Sequence, residues 1–149
     1  MIGEFICKTP DETFARGETI GSGLHGGDIV LLYGSLGAGK TLLIKGVMNA
    51  LGFDVDEVTS PSFSLVNLYK TPMVDVYHID LWRLDPSHDP AGAVGLDEIL
   101  DQPNAVTIIE WPDRLGEKVF EVHTIIVRIA GDGDGPRTIR IEDRSSGKI

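Results

Sequence analysis

The sequence predicts an α/β fold, and three observations predict it. Ile29 to Tyr33 is a continuous apolar run of the kind found in strands buried on both faces of a sheet. Ala105 to Ile109 is a second such run. Between them Leu43, Ile44, Val47, Met48 and Leu51 fall on one face of a helix. A helix between two buried strands implies α/β architecture.

The remaining elements follow in order. Gly3 to Lys8 reads as a short strand. Thr9 can cap the next helix, Pro10 fits its first position, and Glu12 completes a capping box. That helix should run to about Leu24, weakened by Gly17, Gly21 and Gly23, and end at Gly26-Gly27. Gly52 stands just past the second helix. A turn-rich stretch reaches Ser62. Ser64 to Tyr69 and Val74 to Leu81 then form a strand pair around Thr71-Pro72. Asp85 to Gly92 reads as loop, and Leu96 to Leu100 as a short helix. Glu121 to Ile129 and Arg137 to Ile141 alternate around Gly131 to Gly135, a terminal hairpin.

Composition narrows the function classes. The 149 residues fit one domain, 1–149. The net charge of −10 lacks the basic footprint of a nucleic-acid binder and disfavours an anionic membrane. Cys7 is the only cysteine, which excludes an intrachain disulfide and the cysteine-rich zinc patterns. The four histidines have no paired spacing, which argues against a structural metal. The N-terminus has no signal-peptide pattern, and the apolar runs fall far short of the ~18 residues needed to span a bilayer. A cytoplasmic protein without membrane contact is expected.

Gly34-Ser35-Leu36-Gly37-Ala38-Gly39-Lys40-Thr41 fits G-x-x-x-x-G-K-[ST], with a strand before it and a helix after it. Such a loop curls so that successive N–H groups point at phosphate oxygens, and the helix N-terminus adds its positive end. Lys40 would reach the β- and γ-phosphates, and the Thr41 hydroxyl would bind Mg²⁺. The fold is therefore expected to be a three-layer P-loop NTPase-like sheet with a C-terminal β-hairpin.

A P-loop normally works with a carboxylate at the end of a neighbouring strand. Glu110 ends the run 105–109, and Asp80 ends the strand before it. A solvated acid is the alternative for Glu110, and a turn cap for Asp80. His78 shares a strand face with Asp80 and reads as a hydrogen-bonded packing residue. Ser60-Pro61-Ser62-Phe63-Ser64 suits a switch segment, although ordinary turn chemistry explains the same residues. Trp82 and Trp111 read as packing residues, and Arg83 and Arg114 as surface pairing residues, or one of them as a stabiliser of phosphate charge or of a partner's surface.

Four segments in this order resemble the TsaE (YjeE-like) P-loop ATPases of bacterial tRNA threonylcarbamoyladenosine synthesis. They are the loop at 32–41, Ser60 to Val66, Tyr77-His78-Ile79-Asp80-Leu81-Trp82-Arg83-Leu84, and Ile109-Glu110-Trp111-Pro112. Gly95-Leu96-Asp97-Glu98 matches a further stretch, so the likeness runs from about Pro10 to Pro112. The resemblance implies an ATPase that uses ATP and Mg²⁺ beside two larger partners, TsaB and TsaD. It acts in making N6-threonylcarbamoyladenosine at position 37 of tRNAs reading A-starting codons, touching tRNA only through the complex. It implies catalytic roles for Lys40, Ser62, Asp80 and Glu110, with Thr41, Asp80 and Glu110 around the metal. Nucleotide contacts are implied for Gly34, Leu36, Gly37, Ala38, Gly39, Lys40, Thr41 and Leu42, and for Glu12 near the base. Serine stands at 62 and 64 where the family has threonine, and Trp82 where it has tyrosine. Ser35 and Leu42 also depart from the family's loop, without changing Lys40 or Thr41.

A P-loop kinase acting on a small metabolite is the competing reading. It usually needs an arginine-rich lid, and no arginine stands between Arg83 and Arg114. A nucleotide-dependent binding module without useful turnover is the third.

Overall fold

The structure is a computed structural model that describes residues 2–61, 63–144 and 147–148. In chain order the strands are β1 (Gly3–Cys7), β2 (Ile29–Tyr33), β3 (Val66–Lys70), β4 (Asp75–Asp80), β5 (Ala105–Glu110), β6 (Val119–Phe120), β7 (Thr124–Ala130), β8 (Arg137–Arg144) and β9 (Gly147–Lys148). The helices are α1 (Pro10–Ser22), α2 (Lys40–Ala50), α3 (Pro90–Val94) and α4 (Leu96–Leu100). Seven strands form one sheet in the order β1-β8-β7-β2-β5-β4-β3, and β6 pairs with β9.

The centre of the sheet is parallel and its edges are antiparallel. β2 runs parallel to both β5 and β7, and β4 runs parallel to β5. The hairpin β3–β4 closes one edge and the hairpin β7–β8 leads to β1 at the other. The expected C-terminal hairpin is thus part of the main sheet.

Strand periodicity divides the core into two layers of packing. On one face Val30, Leu32, Val106 and Ile108 meet Leu43, Ile44, Val47 and Met48 of α2. On the other, Ile29, Leu31 and Ile109 meet Leu96 and Ile99 of α4 and Phe120. Every residue of β5 is buried, as its apolar run requires. The arrangement is three-layered, as predicted. No helix among the described residues is long and apolar enough to cross a membrane.

Helix α1 starts as its sequence dictates. Glu12 N donates to Thr9 Oγ1 at 3.2 Å, and Glu12 Oε2 accepts the Thr9 N–H at 3.2 Å and also that of Lys8. The helix ends at Ser22, two residues before the expected Leu24. Its glycines do more than weaken it. A Cβ on Gly17 would stand 2.1 Å from the Leu43 carbonyl oxygen, and one on Gly46 2.1 Å from that of Phe14. The two helices therefore touch backbone to backbone.

The stretch 85–92 departs from its reading as loop. Pro86–His88 is a 3-10 turn, and α3 starts at Pro90. Asp85 accepts the Ser87 N–H at 2.9 Å and Asp89 that of Gly92 at 3.2 Å. Each Asp-Pro pair supplies a cap followed by a proline at the first position, the same signal that starts α1. β3 begins at Val66 rather than Ser64, because Leu65 adopts φ +68° and leaves the extended region.

The end of the sheet where β2 begins is tied by polar contacts. Buried Asp28 accepts the His25 N–H at 2.8 Å and pairs with His123 Nδ1 at 2.9 Å, while His123 Nε2 pairs with Asp143. The bond to Asp28, reinforced by Asp143, raises the His123 pKa above its ordinary 6.5.

Gly46→Ala tests the helix contact. Propensity alone would stabilise α2 by about 1 kcal/mol. The clash should reverse the sign and cost about 1–3 kcal/mol, read by urea denaturation. His123→Asn tests the other tie. A raised folded pKa stabilises fully below the unfolded value and loses that contribution as pH rises through the folded value. The stability gap between wild type and His123→Asn should therefore be widest below the ordinary histidine pKa of 6.5 and narrow as pH rises above it.

Candidate functional site

β2 runs directly into the glycine loop, which runs into α2. Gly39 stands at the N-cap of α2 with φ +102°, a left-handed conformation that disfavours a side chain there. Among the described residues no side chain caps this helix, which leaves its first N–H groups open toward the loop. Lys40, 6% exposed, folds back over the loop. Its Nζ donates to the Gly34 carbonyl at 2.7 Å and lies 4.2 Å from the centre of the Trp111 ring.

The acids come from the neighbouring strands. In the parallel registers Glu110 is opposite both Leu32 and Asp80, so the ends of β2, β5 and β4 are level. Leu36, Gly37, Gly39, Lys40, Thr41, Leu42, Asp80 and Glu110 line one cleft of about 360 Å³. Ser60 and both tryptophans line it too. Ser62 lies outside the described residues. Gly34 and Ala38 serve through their carbonyls, the first on Lys40 and the second on Arg137. Glu12 stands away from this cleft, its carboxylate engaged with the N–H groups of Lys8 and Thr9.

Asp80 and Glu110 are both buried, yet their surroundings differ. Asp80 Oδ1 accepts the Trp82 N–H at 2.9 Å, so the turn-cap role is also present. Burial raises the Asp80 pKa; the Trp82 N–H opposes this, and the Glu110 charge adds to it. Glu110 Oε2 is 2.6 Å from His78 Nε2, and His78 Nδ1 is 3.2 Å from the Tyr69 hydroxyl. The packing role read for His78 is therefore a specific hydrogen bond to a site carboxylate. Burial lowers the Lys40 pKa, opposed by the charges of Glu110, Asp80 and Asp113.

One hydroxyl and two carboxylates beside a phosphate loop are hard oxygen donors, which suit Mg²⁺ rather than a softer metal. Among the described residues no group of three or more His, Cys, Asp or Glu could hold a metal by itself. Mg²⁺ fits this donor set because it is bound by one or two carboxylates together with substrate phosphates.

The aromatic residues form the wall of the cleft. The Trp82 and Trp111 rings are 4.4 Å apart, with the Arg114 guanidinium 5.1 Å from the first. Arg83 lies 4.5 Å over Phe63, which is 88% exposed. Trp111 itself has φ +57°, a strained conformation next to Glu110.

Arg137 is the residue that sequence reasoning missed. Its guanidinium donates to the carbonyls of Ala38 at 2.8 Å and Gly37 at 3.4 Å in the phosphate loop. It also donates to Gly135 at 2.6 Å, Gly133 at 3.0 Å and Asp132 at 3.1 Å in the β7–β8 turn. A second cleft of about 280 Å³ lies against it, lined by Lys8, Thr9, Pro10, Gly133, Asp134 and Gly135. The two clefts share Gly39 and Leu42. The position of Arg137 after a glycine-rich turn was the only signal, and it names no partner.

Comparison with known proteins adds the family. The model of the family described as threonylcarbamoyl adenosine biosynthesis protein TsaE matches residues 7–139. The chain is 33% identical over 135 residues to the tRNA threonylcarbamoyladenosine biosynthesis protein TsaE of Treponema pallidum, covering 90% of this chain and 97% of that one. It is 39% identical over 131 residues to the protein of the same name from Mycobacterium leprae, covering 81% and 78%. The crystal structure of Bacillus subtilis YdiB superposes with a TM-score of 0.69 at 26% identity, covering 95% of this chain and 86% of that one. The matched span takes in the phosphate loop, both acids and Arg137, so the whole of the site falls within its bounds, and the chain belongs to the TsaE family.

Proposed function

We propose that this chain binds and slowly hydrolyses ATP as the accessory ATPase in N6-threonylcarbamoyladenosine synthesis at position 37 of tRNAs reading A-starting codons. The observation that carries the proposal is the meeting of Lys40, Thr41, Asp80 and Glu110 in one cleft at the head of α2. Family membership supports the pathway, and the cleft supports the chemistry.

In this reading the phosphates lie on the loop N–H groups and the start of α2. Lys40, already inside the curl of the loop, neutralises charge at the β- and γ-phosphates. Thr41, with Asp80 and Glu110, would hold Mg²⁺, which when bound would offset negative charge on the phosphates. Glu110 orients the attacking water and accepts the proton it loses as its oxygen bonds to the γ-phosphorus. The base extends into the neighbouring cleft between Thr9-Pro10 and the 133–135 turn, where Arg137 joins both halves of the site. Charge supports an indirect role toward tRNA: a chain of net charge −10 gains nothing from phosphate backbone. Partners of the TsaB and TsaD type would hold the tRNA and set the rate, in the cytoplasm where tRNA and ATP meet.

Reconstituted tRNA modification with the two partners should require this chain and ATP. Lys40→Ala should lower turnover by about 10²–10³-fold, the scale of losing one preorganised charge contact. Glu110→Ala should reduce turnover far more than it weakens MgADP binding. Equal loss of turnover and binding in Glu110→Ala would make Glu110 structural.

Arg137→Ala should weaken MgADP binding by about tenfold, the equivalent of ~1.4 kcal/mol. Arg137→Lys should not restore it, because an ammonium cannot serve carbonyls on both sides of a planar fork. Calorimetric titration reads both variants.

A further inference from the structure

A buried line of polar side chains leads away from Glu110, and the mechanism above does not use it. Glu110, His78 and Tyr69 are each no more than 5% exposed. A carboxylate only accepts hydrogen bonds, so the 2.6 Å contact with Glu110 requires a hydrogen on His78 Nε2. In the neutral ring Nδ1 is then an acceptor, 3.2 Å from the Tyr69 hydroxyl. That hydroxyl has a single hydrogen, shared between Nδ1 and the Thr59 carbonyl to which it donates at 2.9 Å, and it accepts the Thr59 N–H at 3.2 Å.

The line ends on the loop that borders the cleft. Asn67 Nδ2 donates to Thr59 Oγ1 at 3.2 Å and to the Tyr69 hydroxyl at 3.2 Å. Ser64 Oγ donates to Asn67 Oδ1 at 3.0 Å. Thr59 precedes Ser60, which lines the cleft, and Ser64 follows the exposed Phe63. Both ends of the 59–64 segment are therefore held by the face of β3 that also holds His78. Asn67 and His78 are direct partners across the β3–β4 hairpin.

We propose that His78 is a positioning residue for Glu110, backed by Tyr69, and that this chain of bonds fixes the aim of the carboxylate to the placement of Thr59 at the border of the cleft. His78 touches neither nucleotide nor metal in this scheme. It restricts the Glu110 carboxylate to one rotamer, and the tyrosine restricts the imidazole in turn. A ligand or partner that moves the loop at Thr59 thereby shifts the group that orients water. The inference rests on the ATPase reading above.

Tyr69→Phe removes one oxygen from the far end of the line and keeps the ring against Phe53, 4.8 Å away. With the partner proteins present, MgATP turnover should fall about tenfold, as expected for losing support behind a ligand-orienting group. MgADP affinity should stay within about twofold, while the melting temperature falls by the few degrees that removing a buried hydrogen-bond partner costs. His78→Leu should lose about as much or more, and His78→Gln, which keeps a donor toward Glu110, should recover most of it. In a Glu110→Gln background Tyr69→Phe should cost nothing further, because the two act as one unit.

Several outcomes overturn the proposal. They are unchanged turnover in Tyr69→Phe, turnover and affinity falling together, equal activity of His78→Gln and His78→Leu, or additive losses with Glu110→Gln. Each leaves a wild type that hydrolyses ATP and so spares the ATPase reading. A wild type that neither binds nor hydrolyses MgATP overturns both.

Discussion

The chemistry of this molecule hangs on β5 being paired in parallel on both sides. That pairing sets Glu110 level with Asp80 on one neighbour and with Leu32, just before the phosphate loop, on the other. A slip of one residue would turn Glu110 to the opposite face. The core prevents it. Val106 and Ile108 are committed to the α2 side and Ile109 to the α4 side, so neither face tolerates a shift. The aim of a polar site is thus enforced by apolar packing beneath it. Ligands in open α/β sheets gather at the carboxyl ends of strands for the same geometric reason.

Such a site is built against electrostatic preference. Two carboxylates and one lysine are buried together, and the charges do not sum to zero. Burial pushes Asp80 up and Lys40 down, both toward their neutral forms. The nearby backbone is also out of its preferred regions, at Trp111 beside Glu110 and at Leu65 beside the 59–64 loop. Each such residue costs on the order of 1–3 kcal/mol and persists only where its surroundings dictate it. Here the surroundings do so. Leu65 N donates to the Pro61 carbonyl at 2.8 Å, and Asp80 N to that of Leu65 at 2.9 Å, so the strained residue is stitched to the strand that carries the acid.

What was legible in the sequence was local in the chain. The phosphate loop, the capping box of α1 and the two buried strands are read from residues a few places apart. The pairing of acids at strand ends followed because strand ends are themselves local. What was missed depends on residues far apart. Arg137 acts on Ala38 across 99 positions, and His78 on Glu110 across 32. No spacing rule connects an arginine after a hairpin turn to a loop near the other end of the chain. The α3 start is different, since Asp89-Pro90 carries the same local start signal as Thr9-Pro10. Gly17, which packs on Gly46, shows a third kind of failure. Propensity treats glycine as a defect, because it counts only what the residue does to its own helix.

The contact between those two glycines has a consequence for how the chain can vary. Most tight core contacts can be repaired, because enlarging one side chain can be matched by shrinking another. At this crossing each added atom would meet a carbonyl of the main chain. Nothing smaller than glycine exists to place opposite, so a change at either position has no second-site remedy at the contact itself. Repair would have to move α2, and α2 carries Lys40 and Thr41 at its head. Two residues with no side chain thus confine the substitutions open to the lineage as tightly as the residues that do the chemistry.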